Sequence, residues 1–197
     1  MIRLNHILRK LTELYDLWFH TLSHGDPMFW VRKKAQIYDN FLCKFYNTLH
    51  YVKSYSHIVW KHADAKQRIA MIVLLDQIPR HIFRHTCEMY AYDYLALAYA
   101  KRINYSLSPF EFMYVLMPYQ HSESLEDHAL GMKRLQRYRA RHKNQLLERL
   151  EKAFKDHTAV IRQFHEYPKR RLDCGYTHDT LPPELREYIL QSTHPYI

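Results

Sequence analysis

The chain has 197 residues, of which 47% are hydrophobic and 25% are charged, which is ordinary for one globular domain with a sizeable core. Only 3 residues are glycine, and because tight turns between strands need glycine, this composition favours helices. The formal net charge of +9 indicates anionic partners or a solvated basic surface. No apolar run is long enough to span a membrane, and the charges of the N-terminal segment argue against a signal peptide.

Helical patterns begin at the first residues. Apolar residues from Leu4 to Trp18 recur every three or four positions, which predicts an amphipathic helix. Asp26 followed by Pro27 is typical of a helix start. We expect the helix that begins there to run to about Val52, so the first quarter of the chain is predicted to hold two helices.

Capping sequences mark two later helix starts. The tetrapeptides DAKQ at Asp64–Gln67 and SPFE at Ser108–Glu111 have the capping-box pattern, in which the first and fourth residues bond each other's backbone. The other predicted helices are Met89–Ile103, Glu123–Arg141, Asn144–Phe164 and a short one after Pro182 and Pro183. With no convincing strand, the chain is predicted to be all-α, a single domain over residues 1–197 of stacked antiparallel helix pairs.

Three cysteines, Cys43, Cys87 and Cys174, have no tight spacing. An odd number without such spacing is neither a disulfide framework nor a zinc signature. We therefore expect free thiols in a reducing compartment, and a cytoplasmic protein.

The positive charge is regional. Residues 133–171 contain thirteen lysines and arginines against four aspartates and glutamates, a net +9, so the rest of the chain is neutral. The segments RYRARHK (Arg137–Lys143) and YPKRR interleave aromatic residues with cations, a composition typical of RNA-binding surfaces. A basic region of this kind could bind RNA or acidic partners, or it could be a solvated helix face.

The segment LLDQIPRHIFR (Leu74–Arg84) places many polar groups at the end of an apolar helix. Pro79 cannot donate a backbone hydrogen bond and disfavours helix at Ile78, so the helix is predicted to kink or to stop near Gln77 and restart at Pro79. Either the polar groups tie helices together or they face a ligand.

Three ordered motifs resemble one known family. They are LLDQIPRHIFR, MPYQHSESLEDH (Met117–His128) and HTAVIRQFHEYPKRR (His157–Arg171). Together they are similar to domain-of-unknown-function family 924, whose motifs run approximately LLDQFPRN-x-F-R, MP-x-x-HSE and H-x-x-x-I-x-RFG-x-FPHRN. The resemblance also takes in LYDLWFH near the start and YAYDYLALAYAK in the middle, and it implies an all-α, TPR-like fold of mostly bacterial occurrence.

Five positions depart from the family pattern. His81 stands where the family has asparagine, His165 where it has glycine, Lys169 where it has histidine, Arg171 where it has asparagine, and His128 where it has glutamine. If the family shares a reaction that uses the histidine of PHRN, this chain has lost or altered it. The family name itself assigns no function.

The motif residues suggest a polar pocket for a small anion, because arginines bind phosphate and carboxylate groups. The predicted ligand-binding residues are Asp76, Gln77, Arg80, Arg84, His121, Ser122, Glu123, Arg162, Lys169 and Arg170. Ser122 precedes a predicted helix and could cap it, leaving its first N–H groups to meet an anion. The candidates for acid–base chemistry are His121, Glu123, Asp76 and His157. The alternative is an interhelical network of the same groups that fixes how helices stack.

Three classes of function follow from these patterns. The first is a helical binding protein whose basic, histidine-containing pocket recognises an anionic small ligand or a protein partner. The second is an enzyme acting on a small phosphate or carboxylate substrate, and the third is an RNA-binding protein that uses residues 133–171. We expect no metal and no cofactor, because metal-ligand spacings and a glycine-rich phosphate loop are absent from the sequence.

Overall fold

The computed structural model describes residues 2–30 and 32–192, and within them it contains helices and no strand. The all-α prediction is therefore confirmed. The helices are α1 Ile2–Asp16, α2 Asp39–Leu42, α3 Tyr46–His62, α4 Ala65–Asp76, α5 Ile78–Ile82, α6 Asp93–Ala100, α7 Pro109–His121, α8 Leu125–Arg139, α9 Gln145–Phe164, α10 Pro168–Asp173 and α11 Pro183–Gln191.

The described residues divide into two compact units. Residues up to Arg84 together with Met89–Pro118 form the first unit, and His85–Glu88 together with the residues from Tyr119 onward form the second. The sequence prediction of one domain over residues 1–197 stays a prediction.

Helix α4 is the centre of the first unit. Its residues from Ile69 to Asp76 are all buried, and α1 and α6 pack against it. A helix that is apolar around its whole circumference is stable only when neighbouring elements cover every side of it. The AMIVLLD segment therefore lies in the interior, and the polar residues at its end, Asp76 and Gln77, are buried as well.

The predicted helix from Pro27 to Val52 is wrong in its extent. The Asp26 carboxylate accepts a hydrogen bond from the Met28 N–H at 3.0 Å, which makes a turn instead of a helix start. Trp30 then stacks on Trp18 with ring centroids 4.1 Å apart and donates its Nε1–H to the Trp18 carbonyl at 2.9 Å. This packing turns the chain back, and regular α-helix resumes only at Asp39.

Two more helix starts differ from the sequence prediction, whereas both capping boxes are confirmed. Helix α6 begins at Asp93, four residues later than predicted, and α5 begins at Ile78 instead of Pro79. Both capping-box bonds are present at Asp64 and at Ser108, whose partner Glu111 also accepts a hydrogen bond from a distant tyrosine.

Helices α8 and α9 pack against each other in the second unit, close to their predicted bounds. Gly131 of α8 makes close packing possible, because a Cβ there would lie 2.7 Å from the Tyr119 Cβ and would meet the ring of Phe154. Any larger residue would force these neighbours apart. The short helices α10 and α11 pack against each other after α9.

The prediction of free thiols is wrong for two of the three cysteines. Cys87 and Cys174 form a disulfide with their Cα atoms 4.7 Å apart, whereas Cys43 is an exposed free thiol. Because the two cysteines are 87 residues apart, their spacing in the sequence did not indicate a disulfide, and only the fold brings them together. The disulfide also removes the free-thiol argument for a reducing compartment.

Within residues 2–30 and 32–192, every helix is too short or too polar to cross a membrane.

Removal of the disulfide is expected to lower the free energy of unfolding by about 2–5 kcal/mol, because the bond constrains a long loop in the unfolded chain. The measurement compares urea unfolding of the oxidised protein with that of a Cys87→Ser/Cys174→Ser variant. Cys43→Ser is the matched control and should change stability by less than about 0.5 kcal/mol, since its thiol is exposed. A double variant as stable as this control would contradict the prediction.

Candidate functional site

The first motif lies at the junction between α4 and α5, in the first unit. Helix α4 ends at Asp76, and Pro79 is the second residue of α5, so the predicted break near Gln77 is confirmed. The Asp76 side chain is buried and accepts a hydrogen bond from Gln77 Nε2 at 2.5 Å. The same amide approaches the Met117 sulfur at 3.3 Å. A buried carboxylate of this kind needs further donors.

Arg80 supplies a positive charge next to this carboxylate and is itself held by a second one. Its two terminal nitrogens donate to the two Asp93 oxygens at 2.7 and 2.8 Å, and NH1 also donates to the Asp76 carbonyl. NH1 lies 3.6 Å from Asp76 Oδ1. Burial alone would lower the pKa of Arg80, but the charges of Asp93 and Asp76 outweigh burial and raise it. The guanidinium is thus shared by two carboxylates.

A second ionic cluster follows in the same unit. Arg84 donates to both Asp39 oxygens, at 2.7 and 3.0 Å, and His81 Nδ1 lies 2.7 Å from Asp39 Oδ1. Burial raises the pKa of Asp39, but the hydrogen bonds from His81 and Arg84 outweigh burial and hold it below its ordinary value. His81, one of the departures from the family pattern, therefore contacts the carboxylate of the Arg84–Asp39 ion pair.

The second and third motifs meet in the second unit. Arg170 donates to the His121 carbonyl at 2.7 Å and lies 3.7 Å from a Glu123 oxygen. The same Glu123 oxygen accepts the Tyr167 backbone N–H at 2.9 Å. These contacts join the end of α7 to the start of α10, because the Glu123 carboxylate accepts a backbone N–H and lies within ion-pair distance of the Arg170 guanidinium.

The predicted helix-capping role of Ser122 is wrong. Ser124 caps α8 by accepting the Asp127 N–H at 3.4 Å. Ser122 instead donates to Asp127 Oδ2 at 2.8 Å and accepts the Ser124 N–H at 3.2 Å. The helix begins two residues later than Ser122 would require, because the turn uses the Ser122 hydroxyl for its own hydrogen bonds.

A buried polar cluster lies beneath this contact. The Tyr167 hydroxyl donates to the Gln120 carbonyl and lies 3.1 Å from His157 Nδ1. His128 Nε2 lies 2.8 Å from the Ser122 carbonyl, which can only accept. Burial lowers the pKa of His128. The acid–base candidate His157 is therefore buried and hydrogen-bonded to a phenol.

The remaining predicted residues differ in exposure. Arg162 is exposed, whereas Lys169 is half-buried and lies with its Nζ 3.3 Å from Ser192 Oγ. Burial lowers the pKa of Lys169. In the part of the chain that the structure describes, no three His, Cys, Asp or Glu side chains gather as a metal site would require.

The structure places Asp76, Gln77, Arg80 and Arg84 in the first unit and the other six predicted ligand-binding residues in the second. The gathering of all three motifs around one pocket stays a prediction. Sequence reasoning missed Asp93 and Asp39, the main partners of the motif arginines. Asp93 lies in YAYDYLALAYAK, a segment that supports the family resemblance, but nothing local marks either acid as an arginine partner.

Replacement of Arg80 by alanine is expected to lower the free energy of unfolding by about 3–5 kcal/mol, because it leaves the Asp76 and Asp93 carboxylates without their shared cation. The measurement is urea unfolding with and without phosphate at constant ionic strength, and phosphate should change the stability of both proteins equally, because Arg80 is not its binding site. Arg162→Ala, at an exposed arginine, is the control and should cost less than about 0.5 kcal/mol. A stable Arg80→Ala variant, together with a wild type that phosphate stabilises more than it stabilises the variant, would indicate an open anion site.

The lowered pKa of Asp39 predicts that the free energy of unfolding decreases at acidic pH. Since the folded pKa lies below the ordinary value of 3.8, the unfolded chain binds the proton first. The contribution of Asp39 is therefore fully present above that value and is lost as the pH falls through the folded pKa. Asp39→Asn should be less stable at neutral pH, and the gap from wild type should narrow as the pH falls below about 4, measured by urea unfolding at several pH values. A constant gap would show that Asp39 acts by packing alone.

The comparisons with known proteins agree with the sequence resemblance. Residues 14–175 match the family described as bacterial protein of unknown function, DUF924. A solved structure described as a protein of unknown function, ATU0120, from Agrobacterium tumefaciens is 20% identical, with a TM-score of 0.69 over 93% of this chain and 98% of that chain. At this identity the likeness shows the fold alone, and none of the curated proteins compared matches. The family match covers most of the chain, and the chain therefore belongs to DUF924, a bacterial family of unknown function.

Proposed function

We propose that the protein is a helical binding protein that recognises an anionic partner on α8, α9 and the turn between them. Six exposed cations define this basic hairpin surface: Lys133, Arg137, Arg141, Lys143, Arg149 and Lys152. All six lie within about two helical turns of the ends of α8 and α9 that the turn connects. Because these cations lie close together they repel one another, and a bound polyanion would reduce that repulsion.

One observation supports this surface over the motif residues. Within residues 2–30 and 32–192, none of the six cations has an ion-pair partner. Arg80 and Arg84, by contrast, each bind a carboxylate of the first unit. A small anion at those motif arginines would have to displace an aspartate that is already well placed, whereas an anion at the hairpin surface displaces only water and counterions.

Structural roles account for only part of the basic region. Arg139 and Lys155 share Glu151, so that pair of cations is neutralised in part. Arg137 lies in the last turn of α8, where the helix dipole favours a cation. That explanation does not extend to Arg149, which lies near the N-terminal end of α9.

The sequence also allows two competing functions, binding of a small anionic ligand and catalysis on a small anionic substrate. A small anionic ligand or substrate at the second and third motifs would use Arg162, Lys169 and Arg170, with His121 and Glu123 as acid–base groups. The paired state of Arg170 favours the hairpin surface instead. The cytoplasmic location expected from the sequence stays part of this proposal without the free-thiol argument, which the Cys87–Cys174 disulfide removes.

Binding of inorganic polyphosphate is expected to be measurable at low salt and to weaken steeply as salt is added, because each phosphate contact releases a counterion. An Arg137→Glu/Arg141→Glu/Lys143→Glu variant should lose most of this affinity. Calorimetry or competition with a labelled polyanion at several salt concentrations checks both statements.

The matched control reverses three exposed cations of the first unit, Arg9, Lys61 and Lys66. It carries the same change in net charge and should retain more of the affinity than the hairpin variant. Equal losses in the two triple variants would mean that net charge, not this surface, attracts the polyanion.

A further inference from the structure

We propose that the partner of the basic hairpin surface is a single-stranded nucleic acid and that one of its bases stacks on the ring of His142. This inference rests on the proposed function, since the same cations would hold the phosphates. It adds a feature that a simple polyanion cannot use, namely a flat ring exposed among the cations. The chemistry is shared by RNA and DNA, because every base has a flat face.

The ring of His142 is held in place by the ring of Tyr138. The two ring centroids lie 4.2 Å apart with an interplanar angle of 18°, a stacked geometry. The His142 backbone N–H donates to the Tyr138 carbonyl at 3.1 Å. The helical turn therefore continues for a few residues beyond Arg139, the last residue of α8, and it brings residues four apart onto the same face.

The two rings differ in exposure, so the imidazole is the ring of the stack that a ligand can reach. Tyr138 is half-buried, whereas His142 is exposed. The phenol covers one face of the imidazole, and because His142 is exposed we infer that its other face is open to a ligand. A ring that is already ordered in this way loses less conformational entropy when a ligand stacks on it than a freely rotating side chain would.

Cations flank the two stacked residues in the sequence. Arg141 and Lys143 are the immediate neighbours of His142, and Arg137 precedes Tyr138. All three are exposed cations of the basic hairpin surface, and ion pairs to them are absent from the part of the chain that the structure describes. A base on the imidazole would thus have its own phosphates next to cations, which is the combination by which proteins bind single strands.

A single strand fits this arrangement better than a duplex or a bare polyanion. In a duplex the bases are stacked on each other and paired, so no base face is free to stack on the imidazole. Polyphosphate offers charge without any ring. The exposed imidazole is therefore the group that should discriminate between these ligands, and its contribution can be measured apart from that of the cations.

The experiment measures the affinities of a labelled single-stranded RNA, a DNA of the same sequence, the corresponding duplex and inorganic polyphosphate of similar length. The wild type should bind both single strands more tightly than polyphosphate and more tightly than the duplex per phosphate. His142→Ala should weaken binding of the single strands on the order of 10-fold, the loss of about one stacked base, and should leave polyphosphate binding unchanged. His142→Phe should restore the single-strand affinity, because phenylalanine keeps the flat ring without imidazole nitrogens.

The outcomes separate this inference from the function on which it rests. If polyphosphate and single strands bind equally well and His142→Ala weakens neither, the stacking proposal is overturned while polyanion binding stands. An equal loss for polyphosphate and single strands in His142→Ala would also overturn it, since the ring would then act through charge or through the shape of the turn. If no polyanion binds at low salt, the proposed function fails and takes this inference with it. Urea unfolding of both variants checks that the turn remains folded. Loss of single-strand binding in His142→Ala together with its recovery in His142→Phe supports the stacked ring.

Discussion

The first unit depends on one buried interaction, the guanidinium of Arg80 between the carboxylates of Asp76 and Asp93. Helix α4 is buried on all sides, so the polar residues that end it have little access to water. Pro79 breaks the helix there, which frees backbone groups as well as a carboxylate. Because Arg80 binds the end of α4 and the first residue of α6 at once, the junction is both a break in the chain and a fixed contact between helices.

The same use of charge recurs in the second unit and divides the cations of the protein into two groups. Arg170 binds a carbonyl at the end of α7 and approaches Glu123, just as Arg84 binds Asp39. Arg84 and Arg170 thus satisfy the half-buried Asp39 carboxylate and the His121 carbonyl. Breaking a buried pair costs more than the intact pair adds to net stability. Within residues 2–30 and 32–192, the six cations of the basic hairpin surface have no ion-pair partner. Their positive charge is therefore not neutralised by a neighbouring carboxylate, whereas the charges of Arg80 and Arg84 are.

The sequence predicted features that depend on neighbouring residues and missed those that depend on distant ones. The two capping boxes, the break at Gln77 and the spans of α8 and α9 are all local, and each was expected from residues a few positions apart. The pairing of Arg80 with Asp93, the pairing of Arg84 with Asp39 and the disulfide join residues that only tertiary packing brings together. The turn at Trp30 was missed for the same reason, since its cause is a stack with a ring twelve residues away.

These contacts also suggest what the family motifs encode. Within the first motif, Asp76 and Arg80 fix a helix junction, and within the other two, Glu123, Tyr167 and Arg170 join the end of one helix to the start of another. A resemblance based on such residues therefore bears on the fold, and a solved structure that is only 20% identical shares that fold. The segment RYRARHK lies between the second and third motifs, and its contacts include the Tyr138–His142 stack of its own turn and the ion pair of Arg139 with Glu151. If the motifs hold the helices together, then the partner is best sought at the residues that the motifs leave out, and this division would let proteins with the same three motifs bind different partners.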